Sequence, residues 1–129
     1  TGWVADAELP AYLGCSNVCV LPLYDATYNR GRWPNKITDY ANIGRPIVTN
    51  DVGDMGPLVR DNNIGLLTEF NAEAFAAAIL SIIENPKLAE ELGANARKLA
   101  EGDLALFRRA SALEDFYIRT INSKATLSS

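Results

Sequence analysis

Residues 30–53 read RGRWPNKITDYANIGRPIVTNDVG, and this stretch decides the fold. It spells a loop, a helix, a short strand and a second turn. Pro34 suits a first helical position, where its missing N–H would have had no partner. The spacing predicts a helix over residues 34–43. Ile37, Tyr40 and Ala41 fall at i, i+3 and i+4, the pattern of a core-facing stripe. Gly44 is a C-terminal stop, and Pro46 keeps the helix from resuming. Lys36 and Asp39 stand three apart on the neighbouring face and are therefore side by side. Free backbone N–H groups at the helix start, including those of Asn35 and Lys36, meet two cations, Arg32 and Lys36. The Asp39 carboxylate stands one turn in. Such an end is a ready anion site, and a carboxylate beside it could accept hydrogen bonds from sugar hydroxyls. The plainer alternative makes Arg30, Arg32 and Lys36 solvated charges, with Asp39 pairing to Lys36. A positive pair opposes the helix dipole at an N-terminus, so its placement calls for a reason.

Outward from this stretch, strands alternate with helices. Residues 17–21 (NVCVL) form an apolar run, the mark of a parallel strand covered on both faces. A helix over residues 6–14 precedes it, turning Leu9, Tyr12 and Leu13 inward. Gly2-Trp3-Val4 reads as a strand end. Residues 23–33 form a long loop after the C-terminal end of a buried strand, where doubly wound sheets bind ligands. Further strands are expected at residues 46–49 and 64–68, with a helix from Gly53-Asp54 to about Arg60 between them. Asn71 caps a helix over residues 72–84, and Asn85-Pro86 opens one reaching about Glu101. The last helix, residues 104–121, carries Leu106, Phe107, Ala110, Leu113, Tyr117 and Ile121 at helical spacing. Residues 123–129 read as a frayed polar tail. Right-handed βαβ units and a parallel sheet follow from the alternation.

Composition removes several functions. At 129 residues with 48% hydrophobic and 22% charged, the chain is one soluble domain able to bury a core. A net charge of −4 argues against a nucleic-acid surface. No apolar run spans a membrane, and nothing at the N-terminus reads as a signal peptide. Cys15 and Cys19 read as buried free thiols of a reducing, cytoplasmic compartment. The chain has no histidine and two cysteines, which argues against a zinc site and against His-dependent acid–base or nucleophile chemistry. Catalysis would rest on carboxylates, cations and backbone dipoles.

The pattern P-N-K-x-x-D-Y-x-x-x-G-R-P-I-V-T-x-D-V-G, from Pro34 to Gly53, resembles the donor-binding motif of retaining GT-B glycosyltransferases of the family 4 (group 1) type. ELPAYL at 8–13, VCVLP at 18–22, NIGLL at 63–67, Asn85-Pro86 and Asn95-Ala96-Arg97 extend the likeness along the chain. The resemblance implies an α/β fold: a partial Rossmann-like parallel sheet of about three strands with a C-terminal run of helices. It is the second half of a GT-B C-terminal domain, so residues 1–129 would be a partial nucleotide-sugar-binding domain. Earlier strands and an acceptor domain would lie upstream. The strand at 17–21 would then present an open edge, a template for a second copy, and any peripheral membrane contact would come through the missing half. By the resemblance, Arg32 and Lys36 stabilise the departing diphosphate; Asn35, Lys36, Asp39 and Gly53 bind the donor. No metal or other cofactor is implied, and the acceptor is unspecified. Asp39 takes the place of the second Glu of an E-x7-E motif and would hold ribose. The first Glu falls at Gly31 and is absent, leaving Arg32, Asn29 or Asp25 to substitute. The function implied is retaining transfer from a nucleotide diphosphate sugar, with no turnover by this chain alone. The rival is a non-catalytic nucleotide-binding or assembly module of the same ancestry. A flavodoxin-like regulator would need an acidic cluster that Asp25 and Asp39 are too scattered to make.

Overall fold

The computed structural model describes the backbone of residues 2–127 and the side chains of residues 2–122. Three parallel strands lie in the order β1-β2-β3: β1 is Cys19–Leu21, β2 Ile47–Asn50 and β3 Gly65–Thr68. Cys19 registers with Ile47, and Ile47 with Gly65. The helices are α1 (Leu9–Gly14), α2 (Thr27–Arg30), α3 (Asn35–Asn42), α4 (Met55–Asn62), α5 (Ala72–Ile83), α6 (Pro86–Glu101) and α7 (Leu106–Leu127). The expected α/β architecture holds.

Strand alternation sorts the core into two layers. Leu21 and Ile47 pack with Ile37 and Ala41 of α3, Met55 and Val59 of α4, and Ala96, Leu99 and Ala100 of α6. Val48 turns to the opposite face, against Ile82 of α5 and Leu92 of α6. The stripe that defines α3 behaves as its spacing predicts: Ile37 and Ala41 are fully buried and Tyr40 packs against them. Gly44 ends the helix in the left-handed region at φ +65°, which glycine adopts without a Cβ penalty. Its carbonyl oxygen lies so close to Gly93 of α6 that a Cβ there would stand 2.5 Å away. The α3–α6 packing therefore requires glycine at 93. Asn71 and Asn85 cap α5 and α6 through Oδ1, accepting from Ala74 N at 2.8 Å and Leu88 N at 3.1 Å.

Several expectations are corrected. Pro34 is the N-cap, extended at ψ 112°, and not the first helical residue. Residues 2–4 form no strand, and Trp3 is fully exposed. The strand expected at 17–21 shortens to Cys19–Leu21, and Val20, on this edge strand, is 37% exposed. No residue of α1 is buried, so Tyr12 does not point inward. Both cysteines are free, but Cys15 is exposed; only Cys19 is buried. The long loop contains the short helix α2. The apolar spacing of α7 serves no core: Leu106 and Phe107 are more than 80% exposed. Its helix runs to Leu127, through most of the tail expected to fray; the last two residues lie outside the described ones.

Candidate functional site at the C-terminal end of the sheet

Beyond the strand ends, two loops are pinned together by polar groups on the strands themselves. Asn50, the last residue of β2, is 5% exposed. Its Oδ1 accepts from Leu23 N at 2.8 Å, and its Nδ2 donates to Leu23 O at 2.7 Å. Thr49 Oγ1 donates to Leu21 O at 2.7 Å. The loop leaving β1 is thus tied to β2 at its first step. A buried amide satisfied on both sides fixes geometry strongly, because losing either partner strands a desolvated group.

Further along this loop, Asn29 is buried, and its Nδ2 donates to Tyr24 O at 2.8 Å. Asn29 Oδ1 has no partner among the described residues. Arg30 makes a two-point ion pair with Asp25, at 2.5 and 2.7 Å. That bond holds the Asp25 carboxyl below the ordinary carboxylate range. Arg30 is therefore engaged, and Asp25 is not a spare carboxylate. The loop after β2 packs against the same segment. Gly53 stands at φ +57°, and a Cβ on it would meet Arg30 O at 2.7 Å and Arg30 Cα at 2.9 Å.

α3 starts at Asn35, directly after this loop. Asn35, Lys36 and Arg32 are all exposed. Ion pairs among the described residues join Asp25 to Arg30, Asp51 to Arg60 and Arg97 to Glu101; Arg32, Lys36 and Asp39 belong to none. The plain alternative in which Lys36 neutralises Asp39 is therefore not what the structure shows. Asp39 instead lines a groove of about 530 Å³ between α3 and α1, with Asp6, Leu9, Pro10 and Leu13. Trp33 Nε1 donates to Thr38 Oγ1 at 3.3 Å, and Trp33 lines a small hollow with Thr38, Leu104 and Arg109. This is the contact of a side chain anchoring the helix start.

The structure brings Gly53 to the loop that leads into Arg32, Asn35 and Lys36, and sets Asp39 on the α1 flank of the same helix. The sequence reading passed over Asn50, which appears only as a polar residue ending a strand. Its signal would have been the pairing of a strand-terminal Asn with a long loop. A hollow of about 650 Å³ lies at the other end of the sheet and includes Asn17, Arg45, Pro46, Ile82 and Glu90. Size alone does not locate the site: that hollow adjoins the strand starts, where parallel sheets do not bind their ligands. No group of three or more His, Cys, Asp or Glu among the described residues could hold a metal ion.

Residues 1–85 match the family described as glycosyl transferases group 1. The chain belongs to the group 1 glycosyl transferases. The matched span contains the three strands, α3 and Gly53. Among solved structures the chain is similar to sucrose-phosphate synthase from Thermosynechococcus elongatus, at TM-score 0.81 and 25% identity. The superposition covers 95% of this chain and 30% of that one, so this group 1 domain spans under a third of that structure's length. Among curated proteins none matches. The fold is that of a GT-B glycosyltransferase domain.

Proposed function

We propose that this group 1 domain binds the nucleotide diphosphate sugar of a retaining transfer. Its diphosphate would lie across Arg32, Lys36 and the N–H groups of Asn35 and Lys36. One observation carries the reading: exposed cations without ion-pair partners stand at the start of α3, on the loop locked to Gly53. An N-terminal helix end with free cations favours an anion. Charge-assisted bonds that strengthen as the diphosphate departs would lower the barrier. Asp39 would take the ribose from the α1 flank, with Leu9 and Pro10 beside it. No cofactor beyond the donor enters this scheme, and the acceptor is of unspecified class here.

The chain by itself would not turn over, because positioning two substrates requires groups on both. A cytoplasmic location fits the free thiols. None of the described helices is long and apolar enough to cross a membrane. The outer edge of β1, with Val20 exposed, would pair with another strand, and a second copy of the chain is one source. Peripheral membrane contact, if the working protein makes any, would come from outside this chain.

A second reading, a nucleotide-binding or assembly module without transfer, draws on Gly31, where the family resemblance places a carboxylate. Titration calorimetry with UDP, GDP and their sugars tests the first reading. Lys36→Ala should weaken binding by about 1–3 kcal/mol, the loss of a charge-assisted contact. Binding untouched by Lys36→Ala and Asp39→Ala would refute the site. Donor hydrolysis or transfer by the full-length protein separates transferase from module.

A further inference from the structure

The groove between α1 and α3, about 530 Å³, is built for an occupant that is flat, apolar on its faces and rich in donors at its edge. Its apolar wall is made by Leu9, Pro10 and Leu13 of α1 and by Ile43 at the end of α3. Two carboxylates line it: Asp39 on α3, and Asp6 in the turn that leads into α1. Both residues are exposed, and neither forms an ion pair among the described residues. The cation that lines the groove, Arg97 of α6, is committed elsewhere. Its Nε donates to Glu101 Oε1 at 2.6 Å, and its Nη1 donates to the Asn42 carbonyl oxygen. The groove therefore offers acceptors that its own cation does not neutralise. No third His, Cys, Asp or Glu among the described residues joins these two carboxylates to hold a metal ion.

Resting on the donor-binding reading, we propose that Asp6 reads the nucleobase in this groove and that the base is guanine, so that the donor is a GDP-sugar. With Asp39 on the ribose, the base lies beside it in the same groove, because the glycosidic bond joins the two directly. The edge that meets Asp6 must then bring donors. Guanine presents N1–H and the N2 amino group side by side, two donors that match the two oxygens of one carboxylate. The corresponding edge of uracil sets a single N–H between two carbonyl oxygens, and those oxygens would face the carboxylate. Adenine and cytosine each place a bare ring nitrogen beside the amino group, which sets acceptor against acceptor. The faces of the purine would lie on Leu9 and Pro10. Apolar walls with a few placed polar groups are the usual make-up of a small-molecule site.

The test is titration calorimetry of this chain with GDP, IDP, UDP and ADP. GDP should bind about tenfold more tightly than UDP or ADP, the scale of one charge-assisted contact. IDP keeps N1–H and lacks the N2 amino group, so it should fall between. Asp6→Asn, at an exposed turn position, puts a donor where guanine also has one. It should weaken GDP about tenfold and leave UDP unchanged. Lys36→Ala is the control for the diphosphate site and should weaken all four nucleotides alike. The two readings fail separately. Equal affinities for GDP and UDP, both lowered by Lys36→Ala, would overturn the guanine assignment and leave the diphosphate site standing. A GDP preference that survives Asp6→Asn would overturn the role of Asp6. Binding of none of the four would overturn the donor site and this inference with it.

Discussion

Gly53 and Arg30 meet backbone to backbone, with room at position 53 for a hydrogen and nothing larger: a Cβ would lie 2.7 Å from the Arg30 carbonyl oxygen. Two loops that leave neighbouring strands are thereby fixed against each other just ahead of Arg32 and Lys36. Gly53→Ala must both occupy a left-handed φ of +57° and displace that carbonyl. The expected cost is about 1–3 kcal/mol for the backbone strain alone, read from urea denaturation. Nucleotide binding should weaken with it. Wild-type stability in this variant would show that the two loops are not in contact.

Asn50 offers a cleaner cut at the same frame. Asn50→Leu removes both bonds to Leu23 and leaves a buried N–H and a buried carbonyl group. Each stranded group costs about 1–3 kcal/mol. Asn50→Asp should recover part of the loss, since a carboxylate still accepts from Leu23 N but cannot donate to Leu23 O. Chemical denaturation of the two variants side by side gives the comparison.

The two cysteines should react differently. Cys15 is exposed and Cys19 buried, and thiol reagents attack the thiolate. In the folded chain one thiol should be alkylated promptly and the second only on unfolding, with peptide mapping assigning the first to Cys15.

Burial pushes the Cys19 thiol up from 9.0, with Ser16 and Arg45 opposing, and pushes the Tyr40 phenol up from 10.0. Both groups hold their protons more tightly folded than unfolded. Their contribution is complete below the unfolded values and is lost as pH rises through the folded ones. Stability should therefore fall above about pH 9 and more steeply past 10, the ordinary values for these groups. A melting temperature that is flat from pH 8 to pH 11 (both well inside ordinary thiol and phenol titration) would contradict this.

The exposed face of α7 yields the opposite expectation from the core. Leu113 is 54% exposed and Leu92 fully buried. Leu113→Ser should shift stability by less than about 0.5 kcal/mol, whereas Leu92→Ala should cost about 2–5 kcal/mol through transfer and cavity terms. Equal losses would place α7 in the core.

What the sequence made legible were features with a short physical range. The i, i+3, i+4 spacing of Ile37, Tyr40 and Ala41, the stop at Gly44 and the caps at Asn71 and Asn85 are each decided within one turn. The structure reproduces them. Cys15, Tyr12 and the α7 residues failed because apolar spacing says which face could be buried, not whether anything lies against it. At the site, Gly53 was legible as a turn residue, but its contact with Arg30 joins segments far apart in sequence. Asn50 was invisible for the same reason, whereas the Asp25–Arg30 pair, five residues apart, depends on the short helix α2 inside what read as a loop. The open position of Asp39 toward α1 required knowing where α1 lies.

The most direct test of the account is where a nucleoside diphosphate binds, because a hollow of about 650 Å³ lies at the opposite end of the sheet from the proposed site. Amide chemical-shift mapping of the chain titrated with UDP or GDP answers this. The account predicts the largest shifts at Asn35, Lys36, Gly53 and Asp54. Shifts centred on Asn17, Arg45 and Glu90, with α3 and Gly53 unmoved, would contradict it.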